Sequence, residues 1–193
     1  MIEWSGLGKR FGRRVLFAGL DGMLQPGKPL VVCGRNGSGK TTLLRILAGL
    51  SRPDAGTVVR TPAGLRISYA SPDVDLYAEL TGRENLDFLG SITGTSTAGI
   101  TDLLARAGLT KASDRPVGQY SSGMRQRLKL AASVFCRPDV LLLDEPTLAL
   151  DEDGISFVET ILADHIATGG CVAIATNDRT EVERWADARL DLG

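Results

Sequence analysis

The chain has 193 residues, room for one compact domain with elaborations rather than two large ones. With 43% hydrophobic residues it can form a core without disulfide or metal staples, and 22 basic against 23 acidic side chains give no overall pull toward nucleic acid or anionic lipid. The longest apolar runs, such as residues 140–143, are far too short to span a bilayer, and Met1-Ile2-Glu3-Trp4 opens no signal peptide.

Glycine is over-represented at 23 residues, which predicts many tight turns or close approaches. Residues 2–25 alternate short apolar pieces with Gly6, Gly8, Gly12 and Asp21-Gly22, the pattern of antiparallel strands joined by turns. Leu30-Val31-Val32-Cys33 is a continuous apolar run too short for a helix, hence a strand buried on both faces. A glycine-rich loop follows, and residues 41–50 carry Leu43, Leu44 and Leu47 at helical spacing before the cap residue Gly49. Residues 57–69 read as a strand pair around Pro62-Ala63-Gly64. Thr81-Gly82-Arg83-Glu84 is a capping box that starts a helix near residue 82, and a polar loop over 94–99 leads to helical spacing over 100–107, closed by Gly108.

After Pro138 the pattern reverts to alternation: strand 140–143, helix 152–166, strand 171–175, helix 180–185 and a closing strand near 188–192. The predicted fold is α/β, a parallel-sheet core over residues 1–72 and 137–193 with an N-terminal antiparallel β subdomain and a helical insertion over about 73–136. Cys33, Cys136 and Cys171 are widely separated beside apolar neighbours and read as reduced core thiols.

The loop between the buried strand and its helix, Gly34-Arg35-Asn36-Gly37-Ser38-Gly39-Lys40-Thr41, matches G-x4-G-K-[ST] in full. Glycines 34, 37 and 39 allow the backbone N–H groups around Asn36 and Ser38 to turn toward phosphate oxygens. The new helix, through Thr41 and Thr42, adds unpaired donors and the positive end of its dipole. Lys40 would bridge the β and γ phosphates, and the Thr41 hydroxyl would ligate Mg²⁺. Leu141-Leu142-Leu143-Asp144-Glu145 is the complement: Asp144 can hold Mg²⁺ through water, and Glu145 can orient and polarise the attacking water. On its own an apolar strand ending in Asp-Glu is more often a surface turn; the phosphate loop reverses that reading. Further on, Tyr120-Ser121-Ser122-Gly123-Met124 opens a helix with a serine as N-cap candidate.

Together these pieces resemble, over essentially the whole chain, the ATP-binding cassette family, the nucleotide-binding subunits of ABC transporters, whose signature is LSGGQ. The resemblance implies a phosphate-loop NTPase core of RecA-like type that hydrolyses ATP with Mg²⁺. It also implies a second ATPase subunit, identical or different, whose ATP would be contacted in trans by Ser121, Ser122 and Gly123. By the same resemblance Thr147-Leu148-Ala149-Leu150-Asp151 is similar to the D-loop. The helical insertion would receive a coupling helix from an integral membrane subunit on the cytoplasmic face, and no nucleic acid is expected. Phe11, 23 residues before Gly34, falls where the family stacks an aromatic on adenine, although a place in the strand core suits it equally. The compact length and Gly49-Leu50-Ser51-Arg52-Pro53-Asp54-Ala55-Gly56 are similar to the haem-exporter ATPases of cytochrome c maturation.

The sequence departs from the family at three places. Ser122 and Met124 replace glycine and glutamine in the signature, Pro72 falls where a glutamine reaches Mg²⁺, and Asn177 stands in the position of the switch histidine. Proline has no side-chain hydrogen-bonding group, and asparagine donates without carrying charge. Binding and dimer closure are therefore expected to survive while turnover weakens. His165, the only histidine, reads as a surface helix residue. Competing readings are a non-transport cassette ATPase acting on nucleic acid, a small phosphate-loop kinase, and a nucleotide-gated scaffold with little hydrolysis.

Overall fold

In the computed structural model, which describes residues 1–192, the strands in chain order are β1 (Ile2–Phe11), β2 (Arg14–Leu24), β3 (Leu30–Gly34), β4 (Ala55–Arg60), β5 (Ile67–Ala70), β6 (Val140–Asp144), β7 (Cys171–Thr176) and β8 (Ala188–Leu192). The helices are α1 (Lys40–Ala48), α2 (Gly82–Thr93), α3 (Ile100–Arg106), α4 (Ser122–Phe135), α5 (Glu152–Ala167) and α6 (Arg179–Trp185). Two compact units divide them: residues 1–69, 139–145 and 164 onward form the first, and residues 70–138 and 146–163 form the second.

The first unit contains an antiparallel sheet in the order β2-β1-β4 and strands of a five-stranded sheet in the order β5-β6-β7-β3-β8. Within the latter, β6–β7, β7–β3 and β3–β8 are parallel pairs. The apolar runs of β3, β6 and β7 take the central places, where both faces are covered and no polar alternation is needed. Residues 57–69 do not form the expected strand pair: β4 pairs with β1, whereas β5 neighbours β6 in the other sheet. Periodicity marks a strand but does not name its partner.

Helix α1 buries Leu43, Leu44 and Leu47 in a cluster with Val32, Leu142 and Ala173. Gly49 ends it in the left-handed conformation, φ 81°, with its N–H on the carbonyls of Arg45 and Ile46. Arg60 of β4 adds guanidinium bonds to the exposed carbonyls at that end, to Ile46 at 3.2 Å and Leu47 at 3.1 Å.

In the second unit the capping box is present: Glu84 N–H donates to Thr81 Oγ1 at 3.1 Å, and Thr81 N–H donates to Glu84 Oε2 at 2.8 Å. Buried Asn85 fastens the preceding loop, accepting from Tyr77 N–H at 2.9 Å and donating to the Thr81 carbonyl at 2.9 Å. The polar loop over 94–99 contains a 3₁₀ turn, Thr97–Gly99, capped by Ser96.

His165 is buried, not a surface residue. Its ring lies against Gly170, where a Cβ would not fit, and Nε2 meets the Cys171 carbonyl at 3.2 Å. Cys33 and Cys171 are buried free thiols, and Cys136 is half-buried. Burial lowers the His165 pKa below its ordinary value, so the neutral ring is the folded form. Stability from this group is complete above the unfolded-state pKa of about 6.5 and is lost as pH falls through the lower folded value. The melting midpoint is therefore expected to fall between about pH 7 and pH 5.5, and His165→Gln should flatten that slope in a thermal-melt series; an unchanged slope would refute the assignment.

Candidate functional site

Sheet order decides which groups meet. Strands β3 and β6 are separated by β7, and parallel strands bring their C-terminal ends to one edge. The loop after β3, the acidic pair ending β6 and the residue following β7 therefore share that edge.

Glycine is required in the loop for defined reasons. A Cβ on Gly34 would collide with Ser38 Oγ and the Leu192 carbonyl, and Gly37 (φ 77°) and Gly39 (φ 109°) have conformations that side chains rarely adopt. Helix α1 begins at Lys40 without a side-chain cap and without an acidic residue in its first turn, leaving its N–H donors and positive dipole end for an anion.

Lys40, buried to 6% exposure, donates from Nζ to the Gly34 carbonyl at 2.9 Å and lies 3.8 Å from Glu145 Oε1. Glu145 adopts φ 47°, and its N–H bonds the Ala175 carbonyl of β7 at 2.8 Å. Burial raises the pKa of the Glu145 carboxyl, opposed by the Lys40 charge, and the Asn177 backbone N–H donates to the carboxylate. Asn177 Nδ2 donates to Asn36 Oδ1 at 3.0 Å, so the position following β7 touches both the loop and Glu145.

Asp144 is 3% exposed, and burial raises its pKa. Its carboxylate accepts from the Thr41 hydroxyl and, at 3.4 Å, from Tyr69 Oη, yet Oδ1 is buried without a partner. A buried, unpartnered carboxylate oxygen beside a hydroxyl is a hard-oxygen donor set, which suits Mg²⁺ completed by substrate phosphates and water. Ser38 Oγ is likewise buried without a partner. Thr42 follows Thr41 in the first turn of α1.

Phe11 does not lie in the strand core: it is 59% exposed at the end of β1, with the Lys9 ammonium 5.6 Å from its ring centre. The signature residues belong to the second unit. Ser121 caps α4 by accepting from Met124 N–H at 3.2 Å, Ser122 begins the helix, and a Cβ on Gly123 would crowd the Ala149 carbonyl. In the same unit Gln126 donates to the Pro146 carbonyl at 2.9 Å, and Lys129 donates to the Pro72 carbonyl at 2.6 Å. Sequence reasoning missed Tyr69, whose nearness to Asp144 depends on β5 neighbouring β6. It also missed Arg14, whose one signal was its place across a Gly12-Arg13 turn from Phe11.

The ABC transporter family model matches residues 17–148. The chain is 38% identical over 190 residues to the cytochrome c biogenesis ATP-binding export protein CcmA of Hyphomonas neptunium, covering 98% of this chain and 96% of that protein. It is 36% identical to the CcmA of Escherichia coli (strain K12), covering 100% and 96%, and 38% identical to the daunorubicin resistance ATP-binding protein DrrA3 of Streptomyces coeruleorubidus, covering 96% and 63%. A solved structure described as an ATP-binding subunit of an ABC transporter shares the fold, with a TM-score of 0.89 at 24% identity over 99% of this chain and 85% of that one.

Because Asp144 Oδ1 is buried and unpaired, the carboxylate destabilises the ligand-free protein. Asp144→Asn is expected to raise the ligand-free melting midpoint by about 2–4 °C, roughly 1 kcal/mol, and to abolish the extra protection that Mg²⁺ gives with ATP. A lower ligand-free midpoint would contradict this account.

Proposed function

The chain belongs to the ABC transporter family, and from that premise we propose that it is one of a pair of ATP-binding subunits driving an exporter of the cytochrome c biogenesis type. Such subunits are ATPases coupled to transport, and ATP is the substrate. The observation that carries the reading is the meeting, at one sheet edge, of the uncapped α1 terminus, buried Lys40, the Thr41–Asp144 pair and Glu145.

Lys40 is now held by the Gly34 carbonyl and Glu145. When a triphosphate enters, the ammonium turns its donors to phosphate oxygens, and the loop N–H groups close on the same charge. Glu145, released from Lys40, accepts a proton from water as that oxygen attacks the γ-phosphorus, while the bond from that phosphorus to the β-phosphate oxygen breaks and ADP leaves with phosphate. Asn177 supplies a neutral amide donor toward the same region. Thr41 and Asp144 are the residues that would hold Mg²⁺, whose bound charge offsets that of the phosphates. Phe11, exposed at the end of β1 opposite Arg14, is the surface proposed to stack on the base.

We assign Ser121, Ser122 and Gly123 to the ATP of the second subunit. Ser121 Oγ accepts within its own helix, which leaves the hydroxyl proton to donate. The membrane subunit is proposed to dock on the second unit, where Tyr77, Phe88 and Ile92 are exposed and Tyr77 and Phe88 meet edge to face at 5.0 Å. Among the described residues no helix is long and apolar enough to cross a membrane, so attachment to the cytoplasmic face would run through that partner.

Slow turnover is part of the proposal. At Pro72 the carbonyl is already taken by Lys129, and the hydroxyl of the adjacent Ser71 is buried without a partner. The presence of Glu145 favours slow hydrolysis over a scaffold without turnover.

Lys40→Ala is expected to remove Mg-ATP binding in calorimetry, and Glu145→Gln should keep binding while lowering phosphate release about 10²- to 10⁴-fold. Asn177→His should accelerate release and introduce an inflection near pH 6.5. A fast wild type that gains nothing from the histidine would disprove weakened turnover, and unaltered binding in Lys40→Ala would disprove the site.

A further inference from the structure

We propose that Arg14 is a positioning residue of the phosphate loop, tying it to the hairpin that carries Phe11; the inference rests on the reading of residues 34–41 as the ATP site. Phe11 and Arg14 are register partners at the end of the β1–β2 pair, across a turn with Gly12 at φ 57°. From there Arg14 Nη2 donates to the Gly37 carbonyl at 2.8 Å. The N–H on the other side of that same peptide, Ser38 N–H, donates to the Arg35 carbonyl at 3.0 Å. The Gly37–Ser38 peptide is thus held at both its oxygen and its hydrogen.

This matters because Gly37 has no side chain of its own to hold its conformation. It has φ 77°, and a glycine in open loop otherwise samples a wide range of backbone angles. An external bond to its carbonyl reduces the ordering that a triphosphate would have to impose. Neighbouring positions have different ties: Asn36 is held by Asn177, and Gly39 lies against Phe17 and Leu16. Leu16 and Phe17 belong to the same hairpin as Arg14, and from that hairpin Arg14 supplies the hydrogen-bonded tie to the loop.

The guanidinium suits this role better than an ammonium would. Its planar fork can hold a carbonyl with one donor and keep others turned elsewhere. Among the described residues Arg14 forms no ion pair with a carboxylate, so its charge adds directly to that of Lys40 and the α1 terminus at the loop. Loop geometry and loop potential therefore both depend on a residue 23 positions before Gly37.

The test uses the intact protein with Mg-ATP and, as a probe without a base, inorganic triphosphate with Mg²⁺. Arg14→Ala is expected to weaken both ligands by the same factor, about five- to tenfold, to raise KM for ATP with little change in kcat, and to leave the ligand-free melting midpoint unmoved. Arg14→Lys should recover most of the affinity. Wild-type affinity in Arg14→Ala, a loss confined to ATP with triphosphate unaffected, or a lowered ligand-free midpoint would each overturn the proposal. Failure of the wild type to bind Mg-ATP would instead overturn the nucleotide reading on which it stands.

Discussion

A single buried ammonium organises the site. Lys40 is almost fully removed from water, which is tolerable because a loop carbonyl and a carboxylate share its charge. That pairing has two conditions. The loop must curl back far enough for the Gly34 carbonyl to reach its own lysine, which glycine makes possible at 34, 37 and 39. Glu145 must also follow β6 in a left-handed conformation, φ 47°, with its carboxylate 3.8 Å from the ammonium. A non-glycine residue in that conformation is strained, and its N–H bond to the Ala175 carbonyl helps to hold it. Sheet order, loop composition and the backbone at the acidic pair thus converge on one contact.

The strand between β3 and β6 decides where Asn177 falls. Asn177 follows β7 and joins the loop to Glu145, its amide donating to Asn36 and its backbone N–H to the carboxylate, and that amide donates without carrying charge. Pro72 has no polar side-chain group, and its carbonyl is engaged by Lys129 of α4.

Much of this could be read from the sequence, and the parts that could not share a cause. The buried runs of β3, β6 and β7, the capping box at Thr81 and the glycine after α1 were legible because each is decided within a few residues. The loop and the acidic pair were legible because a rare spacing stood in the correct local context. The partners of β4 and β5 were not, since pairing is a matter of where the chain returns. His165 was misread for the same reason: its amphipathic boundary position gave no sign that Gly170, just before β7, would leave room for the ring. Tyr69 and Arg14 likewise acquire roles only through neighbours brought in by the fold.

Arg60 extends the reach of the antiparallel sheet into the electrostatics of the phosphate helix. By covering the carbonyls of Ile46 and Leu47 with a cation, it neutralises the negative pole of the nine-residue helix α1, whose positive pole faces the loop. The helix then acts less like a balanced dipole and more like a one-signed source, so its field on an incoming anion is less cancelled from behind. The small sheet, which contributes no acid or base to the chemistry, in this way biases the potential in which that chemistry takes place.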